Sequence, residues 1–162
     1  MRRYKNKLFA ILLSVLAVIS FTSCDGYEWR EAQLVRYSTI TAASNGAIVE
    51  NIAVNYDFVE VSGRYDRIDD IRFHGGYIDI NTRDYIRGFD LRLSNSDAYL
   101  SVDVLNSVGG RLEGRQVDDF LNAVVEVVRR NGYATIYVDG TASNRASFEL
   151  VFFIDIDAYV SY

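Results

Sequence analysis

One histidine, one cysteine and a scatter of carboxylates hold most of the reactive side chains of this chain. His74 is the only imidazole. Catalysis by a Ser–His pair needs that ring beside a nucleophile and an orienting acid, and no Gly-x-Ser-x-Gly elbow occurs. His74 instead abuts Gly75-Gly76, a pair that reads as a tight turn. Asp155 and Asp157, two positions apart, share one face of any strand that holds them, about 7 Å from each other. Paired carboxylates can run glycoside hydrolysis or hold calcium, but on an alternating strand they also make an ordinary solvent face. Asp66, Asp69 and Asp70 lack the Asp-x-Asp-x-Asp-Gly spacing of a calcium loop, so they read as a solvated turn. Gly109–Gly114 has no Lys-Ser/Thr ending, so it is no phosphate loop and reads as a connection. One histidine and one cysteine cannot furnish the usual zinc ligands. The expectation is a chain with no catalytic residues, metal or cofactor.

The cysteine has a different context. Arg2, Arg3, Lys5 and Lys7 precede an apolar run from Leu8 to Phe21, broken only by Ser14 and Ser20. At about 14 residues the run is shorter than the roughly 20 a bilayer span needs, and suits the core of a signal peptide. It ends at Phe21-Thr22-Ser23-Cys24. This stretch resembles the lipobox of type II signal peptides, with a small residue, Ser23, before the cysteine. Phe21 stands where that family usually has Leu, as in the looser lipobox of some Gram-negative phyla. The resemblance implies that residues 1–23 are removed and that Cys24 becomes a lipidated N-terminus. The expected location is the outer membrane of a Gram-negative bacterium, held through the lipid on Cys24 without spanning the bilayer, with periplasmic and surface orientation both open.

The 138 residues beyond Cys24 are the size of one domain. Their 13 basic residues are all Arg and face 22 acids, a net charge near −9. That balance argues against nucleic acid and anionic lipid head groups as partners, since both need clustered cations. Almost half the sequence is apolar, enough for a core. Abundant Tyr, Val and Ile point to β structure, and no proline-rich linker marks a second domain.

Residues 24–32 read as a lipidated tether, with Trp29 odd there unless it docks on the domain, and 33–162 as a single β-rich domain. Leu34–Thr41 is a weak strand candidate, with a turn after it at Ser44-Asn45-Gly46. Ile48–Val61 changes apolar phase near Val59, which suggests a bulge or a second short strand. Ile71–Phe73 and Tyr77–Ile80 flank the diglycine as a hairpin. Ile86–Leu93 and Tyr99–Leu105 are strands separated by Ser94-Asn95-Ser96-Asp97. The clearest pattern is Ala146–Val160, where every second residue is apolar. Val117–Arg130 carries Val117, Phe120, Leu121, Val124 and Val128 at helical spacing, with acids leading and Arg129-Arg130 trailing. Asn131-Gly132 serves equally as a helix stop or as a hairpin turn; helix is favoured. Val151 and Phe153 interrupt the polar face of the last strand, and the predicted cover for them is that helix, lying across the outside of the sheet.

The expected fold is mainly β, an antiparallel sandwich with one helix inserted before the last two strands, with an α+β roll as alternative. Three roles stay open. The first is a non-catalytic cell-envelope module binding a protein or glycan or supporting envelope assembly. The second is a small carboxylate-dependent hydrolase, and the third a structural or adhesive subunit pairing through its C-terminal strand. A flat aromatic face favours the first, a concave pocket with two or more carboxylates the second, and an uncovered C-terminal edge the third.

Overall fold

A computed structural model describes residues 26–105 and 109–162. Residues 1–23 and Cys24, on which the expected cleavage and lipidation fall, lie outside them. Among the described residues, nine strands and one helix come in the order β1 Tyr27–Thr41, β2 Ala47–Asn55, β3 Val59–Val61, β4 Arg67–Thr82, β5 Ile86–Leu93, β6 Tyr99–Leu105, β7 Gly110–Leu112, α1 Arg115–Asn131, β8 Tyr133–Ala142 and β9 Ser147–Ser161. They form two antiparallel sheets, β3-β1-β9-β4-β7 and β2-β8-β5-β6. Without the three-residue β3, the strands pair first with last, second with seventh, third with sixth and fourth with fifth. This nested pairing is that of a jelly roll. The antiparallel sandwich with one helix before the last two strands is what the alternation pattern predicts.

The alternation of β9 divides its two faces. Phe148, Leu150, Phe152, Ile154, Ile156, Ala158 and Val160 are all buried in the shared core, while Asp155 is exposed. The phase change before Val61 is a single 3-10 turn, Tyr56–Phe58, between β2 and the short β3. The helix ends where Gly132 adopts a left-handed φ of 82° and donates its N–H to Val128 O, a conformation open to glycine at no steric cost.

Several expectations are corrected. The stretch read as a tether is strand from Tyr27 onward, because Tyr27–Ala32 pairs with Ser161–Ile156 of β9. Trp29 is therefore docked, 5.0 Å from the Tyr159 ring and beneath the Arg72 guanidinium. Gly75-Gly76 is not a hairpin turn but lies inside the 16-residue β4, directly after a bulge at His74, where the register against β9 shifts between Phe73 and Gly75. The connection before the helix contains β7, which pairs with Ile78–Ile80. The C-terminal strand has no uncovered edge: β9 lies at the centre of its sheet, paired along its length with β1 and β4.

The helix also lies elsewhere than predicted. Its buried stripe includes Val117, Phe120, Leu121, Val124, Val125, Val127 and Val128, wide enough to join the core between the sheets. Leu121 reaches the core side of Gly76, and Arg129 binds Asp70 at 2.6 Å. The helix thus runs beside β4 where β7 has ended, which shields a long strand edge. Val151 and Phe153 are covered from within their own sheet: Val151 is buried, and Phe153 stacks on Tyr77 at 4.8 Å with Tyr37 edge-on at 6.3 Å. Among the described residues no helix is long and apolar enough to cross a membrane.

Candidate functional site

Because the helix joins the core, the outer face of the five-stranded sheet stays open. Two neighbouring rungs cross it. One runs Glu60 on β3, Gln33 on β1, Asp155 on β9 and Gly75 on β4; the next runs Glu31, Asp157 and Arg72. The missing side chain at Gly75 leaves a hollow, since a Cβ there would meet nothing within 4 Å. The bulge displaces His74 from the register, and its Nε2 lies 2.7 Å from Asp157 Oδ2. Gln33 donates its amide to Asp155 Oδ1 at 3.0 Å. The result is an open trough of about 820 Å³ whose polar lining includes Glu31, Glu60, His74, Asp155 and Asp157.

The adjacent glycine has the opposite task. A Cβ on Gly76 would sit 2.5 Å from the Phe153 carbonyl oxygen and 2.8 Å from Leu121 Cδ1. One glycine of the pair opens the trough, and the other lets the helix approach the sheet.

Aromatic clusters flank the trough along β9. Toward one end Tyr159 stacks with Tyr27 and Trp29, beneath Arg72. Toward the other, Phe153 meets Tyr37 and Tyr77, and Tyr77 is capped by Arg111 at 3.7 Å. Arg111 is fixed by two hydrogen bonds to Asp79, 2.8 and 3.0 Å, which hold its guanidinium even more firmly protonated than usual.

The electrostatics are lopsided. Glu31 lies directly opposite Asp157 across the β1–β9 pair, an arrangement that disfavours folding. Arg72, the cation on that rung, is drawn over Trp29. Glu31, Glu60 and Asp155 are solvent-exposed, whereas a carboxyl serving as general acid is typically held in a dry pocket. Chemically, the trough presents hydrated acceptors and one imidazole to anything that docks.

The residues singled out in the sequence separate here. Asp155, Asp157 and His74 come together, whereas Asp69 and Asp70 are tied to Arg67 and Arg129 by ion pairs at 2.6 Å each. Among the described residues, no three of His, Cys, Asp and Glu are grouped to hold a metal ion. Sequence reasoning missed Glu31, Gln33 and Glu60. It also missed the clue to His74: buried positions fall at odd numbers for Ile71 and at even numbers for Ile78 and Ile80, a slip that marks the bulge.

No family model matches the chain, and no curated protein matches it. Among solved structures, the decameric BFDV capsid protein aligns over 81% of this chain and 99% of its own, at 8% identity and a TM-score of 0.48. The tobacco streak virus coat protein aligns over 80% and 87%, at 12% identity and a TM-score of 0.28. Neither likeness bears on what this chain binds or does.

Proposed function

We propose that this protein is a non-catalytic recognition module of the cell envelope, held by a lipid on Cys24 at the outer membrane of a Gram-negative bacterium. In this reading it binds a cationic segment of a protein partner through the trough on its five-stranded sheet. The observation that carries it is the facing pair Glu31 and Asp157, with Asp155 and Glu60 beside them. Like charges placed directly across a strand pair cost stability, and an arriving Lys or Arg segment would turn that cost into attraction. Such attraction acts over about 8–10 Å at physiological salt and fades as salt rises.

Two measurements test the two halves. Fatty-acid labelling should tag the wild-type protein and leave Cys24→Ser as unlabelled precursor; equal labelling of both would remove the anchor. An oligolysine peptide should bind the full-length protein in a salt-sensitive manner and lose most of its affinity to the Glu31→Gln, Asp157→Asn double variant. Unchanged affinity would remove the trough as the docking site.

A second reading, a small carboxylate-dependent hydrolase, draws on the 2.7 Å His74–Asp157 contact in a pocket that also holds Glu31, Glu60 and Asp155. Turnover of chromogenic glycosides or esters that disappears in His74→Ala would favour it over recognition.

A further inference from the structure

The outer face of the four-stranded sheet carries a second, chemically different surface. Tyr133 and Tyr137 on β8 and Tyr99 on β6 are 58%, 41% and 54% exposed. One rung runs Asn51, Tyr137, Arg92, Tyr99 across all four strands, and the next runs Val49, Asp139, Asp90, Ser101. Among the described residues, guanidinium groups cap Trp29, Phe58, Tyr77 and Tyr162, and none caps these three tyrosines. Their ring faces remain available.

A groove of about 690 Å³ is lined here by Asn51, Arg92, Asn95, Tyr133, Tyr137 and Asp139. Arg92 is ion-paired with Asp139, and Glu50 leaves the lining with one excess negative charge. Glu50 also lines the groove and accepts the Asn51 backbone N–H at 3.2 Å. What the groove offers is two primary amides, a guanidinium and two carboxylates, which are planar groups that each make paired hydrogen bonds, between two amphipathic rings. Tyr133 and Tyr137 stand about 13 Å apart along the strand, with the smaller, half-buried Thr135 between them.

We infer that this groove binds a neutral oligosaccharide, with sugar rings stacked on Tyr133 and Tyr137 and hydroxyls paired to Asn51, Asn95, Arg92 and Asp139. The excess negative charge argues against an anionic ligand, and the pairing of Arg92 with Asp139 leaves little free charge for a cationic one. A protein interface would want an apolar centre, and this groove has polar groups there. The ring separation exceeds one sugar unit, so the ligand is an oligosaccharide and not a monosaccharide. The site lies on the opposite sheet from the trough and stands or falls without it.

Calorimetric titration of the full-length, detergent-extracted protein with cellohexaose, chitohexaose and mannohexaose tests the inference. Binding of at least one at millimolar concentration or below is expected. Tyr137→Ala and Tyr133→Ala should each weaken it about tenfold or more, while Asp157→Asn in the trough leaves it unchanged. Both tyrosines are exposed, so these variants should keep the wild-type melting temperature, and Asn51→Ala provides a further variant on the neighbouring strand. Failure of all three sugars to bind, or binding insensitive to both tyrosine variants, would overturn the assignment. Loss of binding on Asp157→Asn alone would move the sugar to the trough and also overturn it.

Discussion

The two outer faces of the sandwich are built from the same strand alternation and arrange charges and rings differently. On the five-stranded sheet, Glu31 faces Asp157, Arg72 is drawn over Trp29, and Arg111 caps Tyr77 while it binds Asp79. On the four-stranded sheet, Arg92 binds Asp139, Asp90 accepts the Ser101 hydroxyl at 2.8 Å, and the tyrosines are left bare. One face keeps a like-charge pair across its strands and caps Trp29 and Tyr77 with guanidinium groups; the other pairs Arg92 with Asp139 and, among the described residues, leaves Tyr99, Tyr133 and Tyr137 without such a cap. Folding requires only that both inner faces be apolar, so each outer face is free to take its own chemistry.

That contrast can be broken most violently at the core the two sheets share. Phe152→Asp, at a side chain 1% exposed, should unfold the domain, because an unpaired buried ion costs several kcal/mol against a total stability of about 5–15. A cooperative thermal transition like the wild type's would mean that the inward phase of β9 is misassigned. Next in size is the diglycine. Gly76→Ala should cost about 1–3 kcal/mol through its clash with the Phe153 carbonyl and Leu121, whereas Gly75→Ala should stay within about 0.5 kcal/mol. Denaturant titration of the two variants separates them, and equal losses would sink the division of labour.

Smaller effects sharpen the comparison itself. Glu31→Gln should raise stability by a few tenths of a kcal/mol by relieving a like-charge pair, while Arg92→Ala on the other sheet should lower the melting temperature slightly. Opposite signs are the expected result. The smallest effect concerns Asp90, whose carboxyl is held below its usual range by hydrogen bonds from Tyr99 and then Ser101. A depressed folded value means a contribution fully present above the unfolded value of 3.8 and lost as pH falls through the folded value. Asp90→Asn should therefore flatten the acid side of the stability profile, and an unaltered profile would show that these bonds contribute nothing.

Much of the fold is written in periodicity. The last strand announces its inward face at every second residue, and the helix announces its stripe, while Asn131-Gly132 fits a helix stop and a hairpin turn alike. The hidden part depends on register and on the neighbours across the sheet. Val151 and Phe153 correctly signal that something covers the outer face, but local pattern cannot distinguish a helix from the aromatic neighbours Tyr37 and Tyr77 that do so. Tyr27–Glu31 looks like a tether because its polar residues point outward from an edge-adjacent strand, and only the pairing with β9 shows it to be sheet. The trough draws on β1, β3, β4 and β9. Its carboxylates are scattered from Glu31 to Asp157, so no spacing rule could have joined them.

The full-length pairing of β1 with β9 also sets a timetable. Tyr27 meets Ser161 and Thr41 meets Ser147, so the central ladder of the larger sheet joins the two ends of the domain. Such distant contacts make folding slow, because a loop spanning nearly the whole domain must close before any of them forms. A nascent chain that lacks β9 has neither the strand that unites β1 with β4 nor the core face that strand supplies. The larger sheet stays open until β9 has been made. Under the envelope proposal the chain crosses a membrane, and a ladder that closes late gives the polypeptide longer in an open form that can be threaded.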